Sequence, residues 1–222
     1  MVTIRQIAAC VGLFNPPLSV RALFGNATPP LSLLDIAAKK TQQKIDLNII
    51  AVGWEEFLPV GGEEIEAAVD QLRVLYAAVD LGIGKVSFFV IPVDDADGHE
   101  HIDSEDEADA VEAEWGFPGK AIDVFFVLTW AGPVVGRSPV NGPCPEGDEP
   151  ESGLVVAIEH STDITANTLA HEMGHYLGLW HESDEGNLMF KNVPNGEQLT
   201  AEQGLKMRKH CMVHPGCRFF PS

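Results

Sequence analysis

His171, Glu172, His175, Gly178 and His181 fall in the order H-E-x-x-H-x-x-G-x-x-H, and no other feature constrains the chain as much. On a helix, residues four apart share a face, so His171 and His175 can present their imidazoles to one ion. Glu172 lies one step round from His171, within reach of a water held by that ion. Gly178 accepts positive φ, which lets the chain leave the helix and swing back to deliver His181 as a third ligand. Three neutral imidazoles leave a fourth position open to water, the arrangement of a catalytic rather than a structural zinc site. Five such fixed positions match by chance in on the order of one in 10^5 chains of this length. A helix that merely carries histidines on a polar face is therefore a poor competitor.

The flanking segments agree with this placement. Ser152 to Ile158 reads as a buried strand, and Ile164 to Leu179 as a helix capped by Asp163 or Thr165. Earlier, Asp46 to Val52 alternates as a first strand, and Glu63 to Val79 is an amphipathic helix with acids in its first turn. Lys85 to Val93 gives another strand. Ala121 to Trp130 is nearly continuous in apolar residues and is expected to be central in a sheet. Thr200 and Gln203 form a capping box that opens a helix to about His210. His210 and His214 are read as exposed residues at a helix end, and His160 as equally bland.

These residues resemble the metzincin metallopeptidases, and in pattern they are similar to the pappalysin-like and related bacterial secreted members. The resemblance rests on the His171–His181 motif, the block Ile122 to Val127, the turn Asn187-Leu188-Met189-Phe190 and the Leu199-Thr200-x-x-Gln203 helix. It implies an α+β fold in which a twisted mixed β-sheet packs on a backing helix and the zinc-binding helix. A small C-terminal subdomain follows the Met-turn. Met189 is implied as a hydrophobic floor beneath the zinc, Glu172 as general base, and His171, His175 and His181 as ligands of one Zn2+. The implied activity is zinc-dependent endopeptidase cleavage of protein or peptide substrates. A catalytically inactive, zinc-stabilised binding module of the same fold is the alternative. Where some metzincins have a tyrosine two residues beyond the methionine, this chain has Lys191, and its only tyrosines are Tyr76 and Tyr176.

Composition narrows the setting. The 222 residues suit one catalytic domain over 41–222, with an upper part to about 178 and a lower part from 179, after an irregular lead-in over 1–40. Fourteen basic against 33 acidic side chains give a net charge of -19, which disfavours nucleic acid as a partner. No apolar run is long enough to span a membrane, and a secreted monomer is expected. Among Cys144, Cys211 and Cys217 one disulfide is expected, with buried free thiols as the alternative. Cys10 loosely fits a lipobox, which would make the protein lipid-anchored. Residues 94–114 hold eleven acids with His99 and His101. An EF-hand does not fit their spacing, and a looser Ca2+ site or a solvated loop running into a helix near Ala108 remains. The Gly- and Pro-rich connection Gly132 to Pro150 either borders the cleft or is an ordinary loop.

Overall fold

Strands whose two faces are both apolar must be covered on both sides, and the chain builds a layered α/β/α arrangement around them. The computed structural model describes residues 43–57, 61–132, 135–138, 153–158, 161–192 and 196–216. The 1–40 lead-in with Cys10, and likewise Cys144, His160 and Cys217, lie outside the described residues. In chain order the elements are β1 (Gln43–Val52), a 3-10 turn (Trp54–Phe57), α1 (Gly61–Ala77), β2 (Leu81–Ile91) and α2 (Val93–Ala96). They continue with β3 (His101–Ile102), α3 (Glu105–Trp115), β4 (Ala121–Val127), β5 (Thr129–Trp130), β6 (Gly136–Arg137) and β7 (Leu154–Ala157). Last come α4 (Thr162–Tyr176), α5 (Ala201–Met207) and β8 (His214–Pro215).

The main sheet runs β2-β1-β4-β7-β6, with β8 pairing the start of β1. The first four strands are parallel, whereas β6 and β8 are antiparallel. The sheet is mixed, as expected, and β4 is its middle strand. Period-two alternation assigns its residues to two faces. Ile122, Val124 and Phe126 join the core that α1 and α4 cover, while Phe125 and Val127 join the core beneath α3. Leu154 and Val156 against Val155 and Ala157 repeat this split on β7. Asp123, fully buried on β4, accepts bonds from Asn48 Nδ2 at 2.8 Å and Phe117 N at 2.6 Å.

Several sequence expectations shift. The strand expected to run to Trp130 ends at Val127, because Leu128 N turns to the Glu100 carbonyl at 2.8 Å. Thr129 and Trp130 then pair with β3 in a separate two-stranded sheet. Neither Asp163 nor Thr165 caps α4. Ser161 holds the cap position without a side-chain bond, while Asp163 sits in the first turn, where its charge complements the helix dipole. The helix stops at Tyr176 rather than Leu179. His210 is 3% exposed and lies with its ring 5.5 Å from that of Tyr176, so it is a core residue and not a solvated helix end. The capping box at Thr200 and Gln203 is present with both of its bonds.

Candidate metal centre

Helix α4 is buried along almost its whole length, and its last two turns carry His171, Glu172 and His175. Beyond it, Gly178 takes φ of +91°, a conformation that favours glycine. Leu179 N then bonds back to the Gly174 carbonyl at 2.9 Å, and the chain returns with His181. The three Nε2 atoms converge: His171 to His175 is 3.0 Å, His175 to His181 is 3.1 Å and His171 to His181 is 3.3 Å.

The opposite ring atoms decide what this convergence means. His171 Nδ1 lies 2.7 Å from the Leu188 carbonyl, and His175 Nδ1 lies 2.8 Å from the Leu179 carbonyl. A carbonyl only accepts, so both Nδ1 atoms carry the proton and both Nε2 atoms present lone pairs. Two lone pairs 3.0 Å apart repel unless a cation lies between them. Tetrahedral zinc with Zn–N bonds of about 2.0–2.1 Å puts ligand nitrogens about 3.3–3.4 Å apart, so the donor set and spacing fit such an ion with little adjustment. Burial holds the imidazolium form of His171 down to about 4, with His175 and His181 pushing the same way against the Leu188 bond. Burial likewise lowers His175. Both rings are therefore in the neutral form that a metal requires.

Glu172 is 8% exposed and packs against β6. A Cβ placed on Gly136 would come within 2.9 Å of Glu172 Cγ and 2.6 Å of Thr168 Cγ2, so the missing side chain makes room for the carboxylate. Burial pushes the carboxyl up to about 8, while the Arg137 charge and a hydrogen bond from Ser138 N pull it down. Arg137 is itself anchored to Asp109 and Glu105 of α3. Only the composition of the connection that contains Gly136, Arg137 and Ser138 hints at this support in the sequence.

Met189 is fully buried, and a Cβ on Gly174 would meet its sulfur at 2.5 Å. The methionine thus lies against α4 at the residue preceding His175. Its turn is fixed by a buried amide pair: Asn187 Nδ2 donates to Gln203 Oε1 at 3.0 Å, and Gln203 Nε2 donates to Asn187 Oδ1 at 3.1 Å. Asn187 Oδ1 also accepts from Met189 N at 2.9 Å. Gln203 therefore has two tasks, capping α5 and holding the Met-turn, and only the first was visible in its spacing from Thr200. Lys191 is exposed, away from the buried part of the site. Cys211 is disulfide-bonded.

Comparison with known proteins follows the same lines. The matrixin family model, a peptidase family, matches residues 79–205, more than half of the chain. Over 58 residues the chain is 40% identical to a zinc metalloproteinase/disintegrin from Gloydius halys and 38% identical to one from Craspedocephalus gramineus. Those stretches are 25% of this chain but only 11% and 12% of the relatives, so the chain spans a small part of their length. Among solved structures, metalloproteinase-II from Bacteroides fragilis superposes with a TM-score of 0.54 at 17% identity, covering 76% of this chain and 53% of that one. Archaemetzincin from Methanopyrus kandleri gives 0.50 at 13% identity, covering 75% and 95%. At such identities the two structures speak for the fold, which is metzincin-like.

Proposed function

The chain belongs to the matrixin family, and from that premise we propose that it is a zinc-dependent endopeptidase with one ion held by His171, His175 and His181. The observation that carries this reading is the convergence of three Nε2 atoms within 3.3 Å while two of the rings are locked through Nδ1. A zinc ion held there supplies a Lewis-acid charge that polarises a carbonyl, acidifies a water and favours the ionised form of Glu172.

The remaining tasks fall to the chain itself. Glu172 acts as general base: a carboxylate oxygen takes a proton from water and later returns it to the leaving amine nitrogen. The Ser138 N–H and the Gly136 gap hold that carboxylate against β6. Being an edge strand among the described residues, β6 offers main-chain groups to an extended peptide, which adds a strand and aligns its scissile bond. Met189 supports the imidazoles from below, and the Asn187–Gln203 pair keeps it there. His171 and His175 belong to the upper part of the 41–222 domain, and His181 and Met189 to the lower part.

Protein or peptide substrates and export from the cell complete the proposal. The disulfide at Cys211 supports export, because such bonds persist in oxidising compartments. No helix among the described residues is long and apolar enough to cross a membrane. The test is cleavage of a diverse peptide library by wild type and by Glu172→Gln, each with and without a chelator. Internal cleavages that vanish with either change are expected. Equal cutting by the two proteins would remove Glu172 from the mechanism. Stoichiometric zinc without any cutting would instead favour the inactive binding module.

A further inference from the structure

Away from the histidine triad, one ligand-type atom from each of Glu56, Glu100 and His101 comes within 4.8 Å of the others. Three acids and bases near one another at a surface mean little alone. Here, however, Glu100 is 6% exposed, and its Oε2 is buried with no hydrogen-bond partner among the described residues. Buried carboxylate oxygens in native proteins are hydrogen-bonded or coordinate a metal, so this one points to a ligand.

The backbone holds Glu100 there. Its carbonyl takes hydrogen bonds from Leu128 N at 2.8 Å and Thr129 N at 3.3 Å. Its side chain lies across Gly53, where an added Cβ would come within 2.6 Å of Glu100 Cβ. Gly53 has φ of +76°, so this close approach is built into the turn that ends β1. His101 is oriented as well: Nδ1 lies 2.8 Å from Thr129 Oγ1, and Nε2 lies 3.8 Å from Glu56 Oε2. A ring that donates from Nδ1 keeps its Nε2 lone pair for the cluster, the arrangement by which an outer partner fixes a metal-binding imidazole. His99 is engaged elsewhere, with Glu107 Oε1 at 2.9 Å.

We propose that Glu56, Glu100 and His101 form a second divalent-metal site, which ties the turn after β1 to the β3–β5 sheet. Two carboxylates and one imidazole make a mixed oxygen and nitrogen set, suited to a zinc-type transition ion. The imidazole directs the site away from calcium, one of the two readings open for this acidic connection, since calcium takes oxygen ligands. The site is independent of the triad and does not rest on peptidase activity.

The test is metal stoichiometry after chelator treatment, reloading with Zn2+ alone and gel filtration. Wild type should retain two equivalents per chain. Glu100→Gln, His101→Ala and Glu56→Gln should each retain one and keep wild-type cleavage of the peptide library. His175→Ala should also retain one but lose cleavage, and His101→Ala combined with His175→Ala should retain none. Thr129→Val, which removes only the orienting hydroxyl, should weaken Zn2+ at this site about 10–100-fold. His101 and Glu56 are half-exposed, so their variants decide the matter should Glu100→Gln fail to fold. The site is disproved if His101→Ala and Glu56→Gln hold as much zinc as wild type, whatever that amount. Failure of the triad assignment looks different, because His175→Ala would then lose no metal.

Discussion

The histidine triad and the Glu56–Glu100–His101 cluster are built from opposite kinds of information. All three members of the triad lie within eleven consecutive residues, and one helix and one glycine turn bring them together. The second cluster joins residues up to 45 positions apart, from the turn after β1 and the start of β3, which become neighbours only when the sheet has formed. Their support differs too. Two of the triad's rings, those of His171 and His175, are held by main-chain carbonyls, whereas His101 relies on one threonine hydroxyl. A site set by local geometry is expected to survive much damage elsewhere in the fold, and a site set by packing is not.

The largest effect that would sharpen this contrast is chemical. Glu172→Gln should lower kcat/KM for peptide cleavage by about 10²–10⁴ while the triad keeps its zinc equivalent. Elemental analysis beside steady-state kinetics checks both halves. Next, Met189→Ala should cost about 2–5 kcal/mol in denaturant unfolding, since it empties a fully buried position against α4. A smaller loss would mean that the turn collapses onto Gly174 and that the methionine is a filler.

Asn187→Ala should cost about 1–3 kcal/mol by stranding the Gln203 amide and the Met189 N–H. Because Leu188, in the same turn, orients His171, the variant should also loosen zinc at the triad about 10–100-fold. Unchanged affinity, measured by competition with a chromogenic chelator, would show that the triad needs no support from beyond its own segment. Gly178→Ala should cost about 1–2 kcal/mol, because φ of +91° is strained for a residue with a Cβ.

The smallest effect concerns pH. Burial lowers the His210 pKa in the folded state, so between the ordinary value near 6.5 and the lowered one the unfolded chain binds the extra proton. Stability contributed by the neutral ring is complete above about pH 6.5 and is lost as pH falls below it, at up to about 1.4 kcal/mol per pH unit. His210→Asn should flatten this part of the profile relative to wild type. Parallel urea-stability profiles from pH 8 to pH 5 would contradict that placement of the ring.

Particular residues show why some features were legible and others were not. The nearly continuous apolar run from Ile122 to Val127 is a short-range pattern, and it correctly implied a central strand. Gly178 was legible for a similar reason, since a helix that must end between His175 and His181 needs a residue able to turn. The strand end at Val127 was hidden, because it depends on Leu128 finding the distant Glu100 carbonyl. His210 misled because its basic neighbours suggest a solvated helix end, while the ring in fact packs on Tyr176. The Gly136–Ser138 support of Glu172 had no local pattern at all.

What the order of residues fixed was the identity of the triad, its face on α4 and the turn that completes it. Each follows from helical periodicity and backbone sterics within a few residues. What required the folded chain was what tunes those groups, the burial of Glu172 against β6 and the Asn187–Gln203 pair that holds the Met189 turn, and also the placement of the Glu100 carboxylate over Gly53. Desolvation and hydrogen-bond satisfaction depend on which surfaces meet across the sheet, and that information is spread over contacts that no short stretch of sequence contains.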